Sequence, residues 1–459
     1  MKENHSLSRS LTLGPVVLFG LAYMAPMTVF STYGVGVETS KGLLPVAYLF
    51  TVITMFFTAN SYGLMAKTFP LAGSAYTYTQ RTISTNIGFL VGWMTLLDYL
   101  LLPMINFLIA GLFLADAFPA IPADLWILLF IVGITVVNVL GIKLNTTING
   151  LLLLYMAFVI VLFFILAIKA VVHGVGTGSL MSVTPFYNPD VSISSVLSGA
   201  ALVGLSFLGF DAVTTVSEET VNPTKTIPRA ILLTVIIGGG LFILVSYFAY
   251  LVHPDYSTFK NTDTAASEIA SIIGGKLFSI LFLAGILTST TASALASHAS
   301  ASRLLYAMGR DHVISNKIFG YISPKFKTPV YNVVLIGLFS CSGLFLSLET
   351  ATSLINFGAF IAFIFVNLSV ISHFFIKKKQ RSIRGTCLYL VFPLLGAVLT
   401  LVLWINLGFG SLSVGVTWFL IGFVYLLGIT KFFSKKPPQF NFNENKGNVA
   451  NNNLQTESY

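Results

Sequence analysis

Apolar residues in this chain fall into long blocks separated by short polar segments. Twelve blocks reach about 20 residues, the length that crosses a bilayer's hydrocarbon core as a helix. Their approximate limits are 12–36, 43–66, 87–115, 124–142, 149–171, 194–217, 229–252, 275–300, 331–348, 351–376, 388–408 and 412–432. Such blocks predict membrane-spanning helices, because lipid offers backbone N–H and C=O groups no partners and only self-satisfied elements cross it. Two blocks contain breakers where a span should be most regular. The first holds Met24-Ala-Pro-Met-Thr28, where Pro26 lacks an N–H, and the sixth holds Gly209 followed by Asp211. The surrounding stretches echo each other: Gly20-Leu-Ala-Tyr-Met-Ala-Pro-Met-Thr-Val29 and Gly204-Leu-Ser-Phe-Leu-Gly-Phe-Asp-Ala-Val213. Interruptions five spans apart predict two inverted five-helix repeats, broken in helices 1 and 6, with a binding site at the breaks.

Composition and charge agree with this pattern. Hydrophobic residues make up 55% and charged residues 9%, against about 25% charged in soluble domains, and the mean hydropathy is +0.87. The chain therefore reads as an all-α polytopic membrane protein. With both termini on the cytoplasmic side, 21 of the 25 Lys and Arg residues fall inside and only Lys41, Lys169, Lys260 and Lys276 fall outside, as the positive-inside rule requires. That distribution explains the net charge of +9 without nucleic acid. The acids Glu38, Asp116, Asp124, Asp190, Asp255, Asp263, Glu268 and Glu349 fall on the outer side. The organisation expected is a cytoplasmic segment 1–11, a transport core 12–376, two further helices in 377–432 and a disordered cytoplasmic tail 433–459. Residues 1–10 are polar and the first block is long enough to remain in the membrane, so no cleaved leader is expected. Cys341 and Cys387 fall in or beside apolar blocks, which does not support a disulfide framework.

Two carboxylates lie at membrane depth. Asp211 follows the break in span 6, and Asp98 sits near the centre of span 3 in Leu97-Asp-Tyr-Leu-Leu-Leu-Pro103. A charged side chain there costs about 2.5–3.5 kcal/mol on insertion scales and so requires a cavity, a partner or a proton. No Lys or Arg occurs mid-span to neutralise either acid. Two such acids call for a cation, and Tyr99 adds a hydroxyl and an aromatic face suited to an ammonium. The opened backbone around Pro26, Thr28 and Gly209 is expected to complete the site, with a ligand's methylene spacer against Tyr23, Phe207 or Phe210. Asn106 lies two turns beyond Asp98 on a similar face. Asp211, Thr215 and Glu218 share a helical face at i, i+4 and i+7, which makes Asp211, Glu218 and Glu219 candidates for carrying a coupling proton. The two glutamates pair equally well with Lys225 or Arg229 at the membrane surface. His298 is expected at the membrane interface. No metal-ligand cluster, phosphate loop or nucleophilic triad is present in the pattern, so neither a cofactor nor an enzymatic activity is expected.

These stretches resemble the amino acid–polyamine–organocation (APC) transporters, and within them the bacterial putrescine importers. The similarity rests on Gly20-Leu-Ala-Tyr with Pro26-Met-Thr-Val-Phe30, Ala72-Gly-Ser-Ala-Tyr-Thr-Tyr78, Gly92-Trp with Leu97–Asn106, Phe207-Leu-Gly-Phe-Asp with Glu218-Glu-Thr, and Ser302–Asp311, and it spans about residues 9–432. It implies a twelve-helix, five-plus-five inverted-repeat (LeuT-like) fold, alternating access, proton-driven uptake and a location in the cell membrane. It also implies that Tyr99 is a substrate-site tyrosine. Two departures qualify it. Amino acid–transporting relatives place a glycine-rich break in helix 1 that cradles the substrate carboxylate, whereas Pro26 here offers no N–H. Some proton-coupled relatives carry a lysine inside helix 5, where this chain has Tyr155-Met156. The function expected is import of a small organic cation, putrescine foremost, with an amino acid permease of the same fold as the alternative. Oligomeric state is not legible.

Overall fold

The computed structural model describes residues 11–69, 75–141, 146–217, 220–310, 314–326 and 328–437. Eleven helices in it are long and apolar enough to cross a membrane, and the shorter apolar helix Val330–Phe345 makes twelve. Span 1 comprises Leu13–Tyr23, Thr28–Ser31 and Tyr33–Thr39, and span 2 is Leu44–Thr68. Spans 3, 4 and 5 are Thr85–Ala117, Ala123–Leu140 and Thr146–Val172. Span 6 is divided into Ile193–Leu202, Val203–Phe207 and Asp211–Val216, and span 7 is Pro223–Val252. Span 8 is Ala265–Arg310, span 9 is Val330–Ser340 with Cys341–Phe345, and span 10 is Leu348–Val370 with the π-helical turn Ile371–Lys377. Span 11 runs through Ile383–Ile405 and span 12 is Phe409–Thr430. Among the described residues the only strand-like pairing is a bridge between Leu11 and Thr220. Both cysteines are free.

Several expectations are corrected. Span 8 begins ten residues earlier and ends ten later than the apolar block 275–300, with its φ/ψ interrupted at Gly275. Hydropathy misses the extension because residues 301–310 carry Arg303 and Arg310, which a helix leaving the membrane tolerates. His298 consequently lies inside the protein rather than at the interface: it is fully buried, its Nε2 is 3.4 Å from Thr135 Oγ1, and its ring sits 6.4 Å from Phe107. A short helix, Ala75–Thr82, precedes span 3. Its Thr- and Tyr-rich sequence is too polar to register as a span.

The most extensive packing is that of span 7 on span 2 and of span 3 on spans 8 and 10. Lipid-facing spans 4, 5 and 12 instead expose large residues such as Leu129, Val132, Leu154 and Val424. With hydrocarbon as solvent, this inside-out surface is expected. Around span 1, Phe30 packs edge-on against Phe163 and Phe282 at 4.9 and 5.1 Å. The loop between spans 7 and 8 closes over the same region. Tyr33 meets Phe259 edge-on at 6.3 Å, and Gly34 abuts the Thr262 carbonyl.

Candidate substrate site

The two breaks are built differently. In span 1 the helix stops at Tyr23 and restarts at Thr28. Pro26 cannot continue the ladder, and Ala25 turns to a φ of 49°. The Ala25 carbonyl then accepts both the Thr28 N–H, at 2.8 Å, and the Thr28 hydroxyl, at 2.7 Å. The Ala25 N–H is itself donated to the Ala22 carbonyl at 3.2 Å.

Span 6 tightens into the 3-10 turn Val203–Phe207, extends at Leu208 and turns at Gly209, which has a φ of 112°. That conformation is open to glycine and strained for any other residue. A side chain at Gly209 would also strike the Tyr23 ring. The Gly209 N–H donates to Asp211 Oδ1 at 3.3 Å. The Leu208, Phe210 and Ala212 N–H groups donate to the Leu205, Phe207 and Gly209 carbonyls at 3.1, 3.4 and 3.1 Å.

Where the breaks meet spans 2, 3 and 10 there is a narrow cavity of about 40 Å³. Its polar wall is Tyr23, Tyr62, Thr95, Asp98, Tyr99 and Asp211, and Gly209, Leu102, Leu208, Ala75, Ala212, Ala359, Ala362 and Phe363 complete the lining. No lining residue is a cation. Asp98 Oδ1 is buried with no hydrogen-bond partner among the described residues. A buried acceptor of this kind is costly unless something donates to it. The site is therefore rich in acceptors and anions, while the Ala25, Thr28, Leu208, Gly209, Phe210 and Ala212 N–H groups at the breaks are engaged internally.

Of the residues singled out from sequence, the structure brings Tyr23, Asp98, Tyr99, Gly209 and Asp211 to this cavity. The others lie outside its lining. Pro26 and Thr28 shape the span 1 break. Phe210 is fully buried behind the wall, 5.5 Å from Tyr62 and 5.2 Å from Phe363. Phe207 is buried among Tyr48 and Phe242. Asn106 turns back on its own helix, donating to the Leu102 carbonyl at 2.7 Å.

The stripe below Asp211 is corrected in its period. Residues 211–216 form a 3-10 helix, so positions three apart align, not four. Thr214 Oγ1 accordingly donates to the Asp211 carbonyl at 2.8 Å, and Ser217 Oγ to the Thr214 carbonyl at 2.5 Å. Glu218 and Glu219 lie outside the described residues.

Sequence reasoning missed Tyr62, Thr95, Ala75 and Phe363. Thr95 was within reach of helical periodicity, since Thr95, Asp98, Tyr99 and Leu102 share one face of span 3. Tyr62, Ala75 and Phe363 arrive by tertiary packing and carry no local signal.

The amino acid permease family model matches residues 15–435. The chain is 41% identical over 435 residues to the low-affinity putrescine importer PlaP of Escherichia coli strain K12, covering 95% of this chain and 96% of that protein. It is 27% identical over 454 residues to the branched-chain amino acid permease BcaP of Bacillus subtilis, covering 94% and 95%. It is also 27% identical over 448 residues to the methylthioribose transporter of the same organism, covering 88% and 93%. The fold, the paired helix breaks and a match across nearly the whole length place the chain in the amino acid permease family of APC transporters.

Proposed function

We propose that this protein imports a small organic dication, putrescine foremost, by alternating access in the cell membrane, with both termini cytoplasmic and a proton as the coupling ion. The observation that carries the substrate class is the cavity itself. Asp98 and Asp211 face it together, Asp98 Oδ1 has no partner among the described residues, and no Lys or Arg lines it.

A diamine leaving water must find an anion or strong acceptors for each ammonium, since burying an unpaired charge is expensive. Asp98 beside Tyr99 serves one end. Asp211 beside Tyr23 serves the other, and the spacer lies along Leu102, Leu208 and Phe363. An α-amino acid would bring a carboxylate toward two acids, and the Ala25, Thr28, Gly209, Phe210 and Ala212 N–H groups are already engaged. The identity to an importer of putrescine over 95% of the chain supports the same reading.

Asp211 is the coupling candidate within the described residues, joining the substrate cavity to the Thr214–Ser217 ladder beneath it. The test is uptake of labelled putrescine into proteoliposomes with and without an imposed pH gradient, competed by diamines and by neutral amino acids. Accumulation that follows the gradient and is blocked by diamines supports the proposal. Accumulation of a neutral amino acid with indifference to diamines overturns it in favour of a permease for amino acids.

A further inference from the structure

Between spans 10 and 11 the chain runs Lys377-Lys-Lys-Gln-Arg-Ser-Ile-Arg384, five cations in eight residues without an acid. All five are exposed, and no ion-pair partner for any of them is found among the described residues. A solvated loop would need only the charges. This one also presents Ile383 at 91% exposure and Ile376 at 57%.

Apolar side chains standing out among unpaired cations fit the boundary of an anionic bilayer, where the aliphatic groups enter the acyl region and the cations meet phosphates. The segment is folded rather than loose. Lys378 and Gln380 N–H groups cap the helix end on the His373 and Phe374 carbonyls, both at 3.0 Å. Arg381 lies over the Phe375 ring and Lys378 over Phe374, which in turn stacks on Tyr389.

The same turn is tied to the substrate cavity. Ser372 Oγ donates to the Thr82 carbonyl at 2.6 Å, and His373 packs edge-on against Phe69, over which Arg81 is seated. Thr82 and Arg81 end the short helix whose first residue, Ala75, lines the cavity. The π-helical turn is thus linked to the helix bearing Ala75 by one direct hydrogen bond and by Phe69, which lies between His373 and Arg81.

We propose that Lys377–Arg384 binds the headgroups of anionic phospholipid, and that this contact, transmitted through Ser372, steadies helix Ala75–Thr82 and promotes transport. The transport half rests on the transporter reading above; the binding half does not. The binding experiment titrates the detergent-purified protein with phosphatidylglycerol or phosphatidylcholine and follows lipid adducts by native mass spectrometry. Parent protein should retain phosphatidylglycerol selectively. A variant with Gln at Lys377, Lys378, Lys379, Arg381 and Arg384 should lose that preference by about tenfold or more, since each cation near an anionic surface contributes substantially.

The transport experiment compares putrescine uptake in vesicles with and without phosphatidylglycerol in both leaflets, which removes any dependence on insertion direction. Anionic lipid should stimulate the parent and leave the Gln variant unstimulated. Ser372→Ala should keep lipid binding and lose the stimulation. Equal retention of the two lipids by the parent, or full preference in the Gln variant, overturns the site and leaves the charges to topology alone. Undiminished stimulation in Ser372→Ala overturns the coupling route. Selective lipid binding by a protein that takes up no diamine would sink the transport reading and leave the lipid site standing.

Discussion

The two broken helices occupy corresponding places in the chain, yet they do different work. The span 1 break is a fold of the backbone: Pro26 ends the ladder, and Thr28 turns both its donors onto Ala25. The span 6 break delivers chemistry. Gly209 makes the turn that only glycine adopts without strain, Tyr23 fills the space a side chain would need, and Asp211 is set beside the cavity. An inverted repeat thus supplies two similar bends and leaves sequence to decide which one carries charge. In the binding mode proposed above, the charged contacts come from spans 3 and 6, and span 1 contributes Tyr23 and shape.

This contrast can be broken experimentally. The largest effect is expected at Asp211. Asp211→Asn should abolish accumulation driven by a pH gradient, while substrate counterflow, which needs no net proton movement, partly survives. Equal loss of both in a folded protein would make Asp211 a binding residue only. Asp98→Asn should weaken diamine uptake by at least about tenfold, because removing one partner of a buried charge pair typically costs about 2–5 kcal/mol. Initial rates across a putrescine concentration series would read this directly.

Gly209→Ala should come next, since strained backbone of this kind costs about 1–3 kcal/mol and the added methyl meets Tyr23. Reduced uptake with a lowered melting temperature is the expected pair of readings. At the small end, Ala25→Gly removes the unfavourable φ of a non-glycine residue and should leave uptake within about twofold while slightly raising stability. Strong loss in Ala25→Gly would show that the span 1 break is more than a bend.

Much of this arrangement was legible in the sequence. The blocks and the one-sided distribution of Lys and Arg defined the spans. Pro26 and Gly209 located the breaks. Asp98 and Asp211 marked the cavity, because an isolated acid at membrane depth must face a cavity, a partner or a proton. The failures have physical causes. Phe207 and Phe210 neighbour the break in sequence, but neither lines the cavity: Phe210 backs Tyr62, and Phe207 packs with Tyr48 and Phe242. Assigning Asp211 and Thr215 to one face assumed the α-helical period, whereas residues 211–216 wind as a 3-10 helix; Glu218 lies outside the described residues. His298 was misplaced because hydropathy ends a span at the first cations, and span 8 runs on through Arg303 to Arg310. Tyr62 and Ala75 could not be found locally, because they reach the cavity from span 2 and from a short polar helix.

The central claim is that two carboxylates grip two ammonium groups in one cavity. It is tested most directly by comparing putrescine with butylamine, the same chain carrying one ammonium, in the parent and in Asp98→Asn. The ratio of their inhibition constants against labelled putrescine isolates the second charge, in the manner of a double-mutant cycle. The parent should favour the diamine by about tenfold or more, the scale of about 1.4 kcal/mol, and Asp98→Asn should collapse that ratio toward one. An unchanged ratio in a folded, membrane-inserted Asp98→Asn protein would contradict the account.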